Sequence, residues 1–197
     1  MTAESTSLQM TLDTSCVIHA AQEGRYAAEL AELVFLAQAE RVGLYLTGAF
    51  DVDMEKAKQH NKQVNFEWLQ KRPVIRRIPQ PFRFDFSPLG DPRHALMGGP
   101  DDSALVKRLE EIVLPTDLRP GKFNPAQEPH LQARFRRKVA DVQHLGGHMM
   151  SGNDYFVTTD ADDMIKKRDR IREATGIRII DPTEAATIAR LGRALSP

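Results

Sequence analysis

Apolar and polar residues alternate at the start of the chain. Leu8, Met10 and Leu12 are separated by Gln9 and Thr11, and the apolar run continues through Cys16, Val17 and Ile18, which predicts a first strand. After Gly24 the spacing changes to threes and fours at Tyr26, Leu30, Leu33, Val34 and Ala37, which predicts a helix. Gly43 is read as its stop, Leu44 to Thr47 as a second strand, and Asp51 to Leu69 as a polar, moderately amphipathic helix.

The texture then shifts. Ten of the twelve prolines fall between Pro73 and Pro129, together with Gly90, Gly98, Gly99 and Gly121, which is the chemistry of loops and turns. One helix is expected inside this stretch, Ser103 to Val113, with Asp101 and Asp102 at its positive end. Residues 73–130 have too little apolar periodicity for a core of their own, so they read as an insertion within one domain spanning 1–197.

Regularity returns at Leu131. Leu131, Phe135, Val139, Val142, Leu145 and Met149 form one stripe of a helix ending near Ser151-Gly152. Asp154 to Thr159 reads as a strand, Asp162 to Thr175 as a helix closed by Gly176, and Ile177 to Ile180 as a last strand. Asp181-Pro182-Thr183-Glu184 combines an N-cap, a first-turn proline and a capping-box glutamate, a strong helix start. Strand–helix alternation at both ends predicts a three-layer α/β fold with a central, mainly parallel sheet.

Composition narrows the function. No apolar run approaches the ~20 residues that span a bilayer, since Ala27 to Ala39 is broken by Glu29, Glu32 and Gln38. Met1 to Ser7 has neither the basic start nor the apolar stretch of a signal peptide, and the one cysteine, Cys16, excludes an internal disulfide and a thiolate zinc site. A cytoplasmic location is expected. The 27 basic and 27 acidic residues give no net charge, so affinity for a polyanion has to come from local patches or bound cations.

In a parallel α/β sheet, ligands gather at the carboxyl ends of strands. Asp13 closes the first predicted strand, Asp53 follows the second, Asp160 follows Phe-Val-Thr-Thr, and Asp141 flanks the apolar stripe of the preceding helix. Carboxylates gathered together repel unless a cation or shared protons neutralise them, and oxygen-only ligands select Mg²⁺ or Mn²⁺. Such an ion lowers the pKa of a bound water and holds a phosphoryl oxygen, as phosphodiester hydrolysis requires. The bland alternatives are an N-cap role for Asp160 and a helical ion pair of Asp141 with Arg137 or Lys138.

Leu12-Asp13-Thr14-Ser15 resembles the first motif of PIN-domain nucleases, a strand-end aspartate followed by a small hydroxyl residue. Ala140-Asp141-Val142-Gln143-His144-Leu145 and Asp154 through Thr158-Thr159-Asp160 resemble that family's closing pair, a helix-borne Asp and a Thr-x-Asp nineteen residues on. Gly176 to Ala185 resembles its last strand and helix. The likeness covers about residues 8–70 and 131–192. It implies a three-layer PIN-like α/β/α fold and a metal-dependent endoribonuclease leaving 5′-phosphate and 3′-hydroxyl ends. Asp13, Asp141 and Asp160 carry over as ligands of one or two Mg²⁺ or Mn²⁺ ions. The family's remaining acid is usually a glutamate; Asp53 stands there, with Asp51 and Glu55 as rivals, and Asp162 is an outer candidate. The family further implies an RNA substrate, a homodimer and, in a toxin role, a protein antitoxin; this chain exceeds the compact toxins in length.

Other readings stay beside this one. A PIN-like scaffold would bind RNA or protein without cleaving. A haloacid-dehalogenase-type phosphatase would want a second Asp where Ser15 stands, and a nuclease on structured DNA would need a gripping module. His144 and His148 are either part of a metal site or hydrogen-bonded core histidines. Thr14, Ser15 and Thr158 position water or phosphate, or satisfy local backbone. Arg134, Arg136, Arg137 and Lys138, and separately Arg72, Arg76 and Arg77, are phosphate contacts or a solvated face. Phe82, Phe84 and Phe86 alternate as an insertion strand or a stacking platform.

Overall fold

The computed structural model describes residues 7–55, 57–83, 95–96, 99–119 and 121–192. Phe84 and Phe86 lie outside them. The chain runs β1 (Leu8–Leu12), α1 (Thr14–Ala21), α2 (Ala27–Gln38), β2 (Val42–Thr47), α3 (Ala49–Glu55), α4 (Gln59–Gln70) and β3 (Ile75–Ile78). It continues through β4 (Gln80–Pro81), β5 (Ala95–Leu96), α5 (Pro100–Val113), α6 (Pro129–Met150), β6 (Tyr155–Val157), α7 (Arg168–Thr175), β7 (Ile179–Ile180) and α8 (Pro182–Leu191). Five strands form one all-parallel sheet in the order β3-β2-β1-β6-β7, and β4 and β5 form a separate parallel pair.

Strand periodicity divides the core between the sheet's two faces. Met10 and Leu12 of β1, Leu44 and Leu46 of β2, and Tyr155 and Val157 of β6 pack with Leu33 of α2, Val17 of α1 and Ile188 of α8. Phe156, between Tyr155 and Val157, faces the other way and joins Leu109 of α5, Val142 and Leu145 of α6, and Ile171 of α7. The result is the three-layer α/β/α arrangement expected. Among the described residues no helix is long and apolar enough to cross a membrane.

Several boundaries differ from the sequence reading. The apolar run at Cys16–Val17 belongs to helix α1, not to the first strand; a short apolar run fits either period, and Asp13 sits at the helix N-cap. Helix α2 ends at Gln38 with Glu40 left-handed (φ 57°), and Gly43 lies within β2, where a Cβ would run into the Gln9 side chain. The helix expected over 51–69 is two, α3 and α4. Ile75–Ile78, inside the Pro-rich stretch, is the sheet's edge strand; its exposed Arg76 and Arg77 hide the alternation and guard an open edge. α5 starts at Pro100, and Asp102 accepts the Gly99 N–H at 2.9 Å. The helix expected from Asp162 starts as α7 only at Arg168, after turns and a 3₁₀ segment, Ile165–Lys167. Gly176 (φ 79°) closes α7 in the left-handed region, and Asp181 with Glu184 forms a capping box on α8, both as expected.

Strand order makes a functional prediction by itself. From β1 the chain moves outward through β2 to β3, then returns to the other side of β1 with β6 and β7. The order therefore reverses between β1 and β6, and the crevice beyond their carboxyl ends is where an open α/β sheet binds ligands. Asp13 follows β1 there, and Thr158 to Asp160 follow β6.

Candidate active site

That crevice is a cleft of about 540 Å³ walled by Asp13, Asp53, Asp141, Asp160 and Asp163, with Arg134, Arg137 and Lys138 on one side. Asp13, Asp53, Asp141 and Asp160, the four predicted from sequence, come from the end of β1, from α3, from α6 and from the end of β6, and the fold gathers them across up to 147 residues of sequence.

Asp13 occupies the N-cap of α1 yet makes no side-chain cap bond. Its Oδ2 instead accepts hydrogen bonds from the Ser15 hydroxyl at 2.6 Å and the Thr158 hydroxyl at 2.7 Å. An N-cap aspartate ordinarily bonds its own helix; this one is turned to the cleft and held there. Thr14 donates to Asp53 Oδ2 at 2.8 Å, and His144 Nε2 approaches the same oxygen at 3.1 Å. The three hydroxyl residues flagged in the sequence thus orient carboxylates, Thr14 and Ser15 from the first turn of α1.

Asp141 meets Lys138 one helical turn earlier, its Oδ2 2.8 Å from the ammonium, and Lys138 also reaches Asp163 Oδ2 at 2.5 Å. The helical ion pair weighed from sequence is present, and so is the cleft. Asp160 Oδ1 accepts the backbone N–H groups of Asp162 (3.1 Å) and Asp163 (2.9 Å), fixing the turn that follows β6. Each acid therefore commits one oxygen locally. The other four, Asp13 Oδ1, Asp53 Oδ1, Asp141 Oδ1 and Asp160 Oδ2, have no hydrogen-bond donor among the described residues, and none is sealed from solvent.

The rivals for the second acid separate clearly. Asp51 pairs with Arg77 of β3 at 2.9 Å, and Glu55 is exposed at the end of α3. Asp53 alone of the three lines the cleft. Asp162 is a correction: its side chain is 87% exposed and pairs with Lys166 at 2.6 Å, outside the cleft. The Asp160-capped turn points the next residue, Asp163, inward in its place.

Burial and neighbours set the charges. The Asp141 side chain keeps 22% of its surface, yet burial raises its pKa to about 7; Lys138 opposes the rise and Asp13 adds to it. Burial lowers the pKa of His144, but its hydrogen bond to Asp53 and the charges of Asp13, Asp53 and Asp141 outweigh this and leave it above the ordinary value. Lys138 is likewise pulled down by burial and carried above its ordinary value by Asp141 and Asp163. His148 is a different case: it is buried beside Thr11 Oγ1 (2.9 Å) with no acid partner, and burial lowers it to about 3. The two histidines are therefore hydrogen-bonded core residues, and only His144 touches the acids. His144, weighed from sequence as a metal-site or core histidine, and Lys138, weighed as an ion-pair partner of Asp141, each lie three positions from Asp141 on its face of the helix, and Asp163 is the site acid that the sequence did not single out.

The basic clusters also separate. Arg134 and Arg137 line the cleft, Arg134 being paired with Asp117 at 3.1 Å and Arg137 having no ion-pair partner among the described residues. Arg72 lies over the Trp68 ring and Arg77 over Phe50, on the far edge of the sheet. A second hollow of about 510 Å³ beside β7 is walled by Arg168, Arg172 and Arg178, and it collects no comparable set of acids.

The donor set at the cleft is oxygen only, which suits Mg²⁺ or Mn²⁺ over zinc. Among the described residues no three His, Cys, Asp or Glu side chains already stand in ion-holding geometry. No protein-family model and no curated protein matches the sequence.

Proposed function

We propose that the chain is a metal-dependent phosphodiester hydrolase, an endoribonuclease whose Mg²⁺ or Mn²⁺ is held by Asp13, Asp53, Asp141 and Asp160. The observation that carries this reading is the division of labour within each carboxylate. One oxygen is fixed by a local hydrogen bond, and the other is left without a donor in a common cleft at the sheet's switch point. Structural aspartates would satisfy both oxygens or spread over the surface.

A bound divalent ion supplies a nucleophilic water near neutral pH and offsets charge on the phosphate. The protein's own part is orientation. Ser15 and Thr158 hold Asp13, and Thr14 with His144 holds Asp53, as supporting partners do around metal ligands. Arg137 stands on the cleft wall with its charge unspent, suited to a backbone phosphate. RNA as substrate, and 5′-phosphate and 3′-hydroxyl products, rest on the resemblance to PIN-domain nucleases, as do a homodimer and a protein antitoxin. A cytoplasmic location belongs to the same reading.

A second reading, a PIN-like scaffold that binds RNA or protein without cleaving, draws support from the unassembled ion geometry and from Lys138, which already neutralises Asp141. Cleavage of single-stranded RNA with Mn²⁺, wild type against Asp13→Asn, separates the two. Metal-dependent cleavage lost in the variant supports the nuclease; no cleavage of any RNA or DNA by the wild type supports the scaffold.

A further inference from the structure

We propose that the Lys138 ammonium takes the place of a second cation, so that the cleft binds one divalent ion rather than two. This rests on the metal-dependent reading above and makes it more specific. Where two ions serve phosphodiester hydrolysis they sit ~3.5–4 Å apart, each bridged by carboxylates. Such a second position needs carboxylate oxygens converging on a point. The structure has such a point, and a lysine nitrogen is on it: Asp141 Oδ2 at 2.8 Å and Asp163 Oδ2 at 2.5 Å. Those lengths exceed the ~2.0–2.1 Å of Mg²⁺–oxygen contacts by about 0.4–0.8 Å.

Lys138 is built into this place. Helix α6 sets it one turn from Asp141, its side chain is only 17% exposed, and Asp163 is itself fixed by its N–H to Asp160 Oδ1 at 2.9 Å and by Lys167 at 3.2 Å. A divalent ion entering here would have to expel a paired ammonium or lie against it, and like charges so close are strongly unfavourable. On the other side no ammonium or guanidinium meets Asp13 or Asp53 among the described residues; their neighbour is the His144 ring, 3.1 Å from Asp53 Oδ2 and 3.9 Å from Asp13 Oδ1, and the unspent oxygens of Asp141 and Asp160 complete the donors for one ion. An ammonium has three donors. Two are engaged by the acids, and the third can hydrogen-bond a phosphoryl or leaving oxygen, the role otherwise given to the second ion.

Calorimetric titration of the full chain with Mn²⁺ tests this without any substrate. The expected stoichiometries are one ion for wild type, two for Lys138→Met and one for Lys138→Arg, which keeps the charge. A lysine with a merely structural role would lower the stability of Lys138→Met and leave its stoichiometry at one. Two ions in the wild type, or one in folded Lys138→Met, overturns the proposal and leaves the metal-dependent reading intact. No ion bound by wild type removes both. If circular dichroism shows Lys138→Met unfolded, Lys138→Gln carries the same expectation.

Discussion

His144 Nε2 lies 3.1 Å from Asp53 Oδ2, so a buried imidazole on α6 backs a carboxylate carried by α3. Its other nitrogen, Nδ1, is 2.6 Å from the Thr47 hydroxyl at the end of β2. The ring therefore ties three elements together directly beneath the cleft. His144→Gln keeps much of the volume but not this geometry. It should cost about 1.5–3 kcal/mol in urea unfolding, the range for hydrogen bonds to charged groups. Mn²⁺ affinity should fall about 10–100-fold, as for lost partners of metal ligands. Unchanged affinity in the folded variant would remove His144 from the site's support.

Asp141 sets function against stability. Its folded pKa, about 7, lies above the ~3.9 of an unfolded aspartate, so the folded protein binds more protons between those values. The favourable contribution is complete below about pH 4 and is lost as pH rises through 7. At pH 8 the ionised carboxylate is thus a burden on the ion-free protein. Asp141→Asn should raise stability there by about 1–3 kcal/mol while abolishing Mn²⁺ binding in a calorimetric titration. A variant that is destabilised at pH 8, or that binds Mn²⁺ as wild type does, contradicts this.

The central strands, the cap on α8 and the acids Asp13 and Asp160 were legible as local signals: period-two strands, Asp-Pro-Thr-Glu, an aspartate at a strand end; Asp53 and Asp141, on helices α3 and α6, were legible through their order along the chain beside those signals. What stayed hidden depends on contacts distant in sequence. Ile75–Ile78 looks like loop because its outward Arg76 and Arg77 and flanking prolines mask a strand that β2 completes. Gly146-Gly147 in α6 looks like a weak point of a helix. In the fold it lets the Pro79–Pro81 segment cross α6, since a Cβ on Gly147 would stand 2.7 Å from the Pro79 carbonyl oxygen. The choice among Asp51, Asp53 and Glu55 was open because Asp51 is drawn aside by Arg77 of β3, a contact distant in sequence. Asp163 rather than Asp162 faces the cleft because Asp160 caps the turn, a detail spacing does not encode.

His148 should give acid sensitivity of the opposite sign to Asp141. Its folded pKa of about 3 lies below the ~6.5 of an unfolded histidine, so below pH 6.5 the unfolded chain takes up a proton that the folded one refuses. The contribution is intact above 6.5 and drains away by ~1.4 kcal/mol per pH unit on the way to 3. Between pH 6.5 and 4 the two trends oppose each other, which flattens the wild-type profile. His148→Asn should unmask the Asp141 trend. Its stability relative to wild type should improve by about 2 kcal/mol between pH 6.5 and 5, read from urea midpoints. Parallel profiles would mean that His148 accepts a proton in the folded state.

Arg137 tests whether the cleft wall meets a polyanion. The protein has no net charge to attract nucleic acid as a whole, so binding has to draw on the few cations that face the cleft. Arg134 is already paired with Asp117 and Lys138 with two acids, which leaves Arg137 as the wall's unspent charge. A contact to one phosphate of single-stranded RNA releases counterions, and its loss reduces the slope of log affinity against log salt by about 0.7. Arg137→Ala should show that reduction in metal-free anisotropy titrations, and in turnover a raised KM with kcat little changed. Arg76→Ala, exposed on the far edge strand β3, should leave both unaltered. Equal effects from the two variants would mean that RNA reads diffuse surface charge and that the acidic cleft is not where it binds.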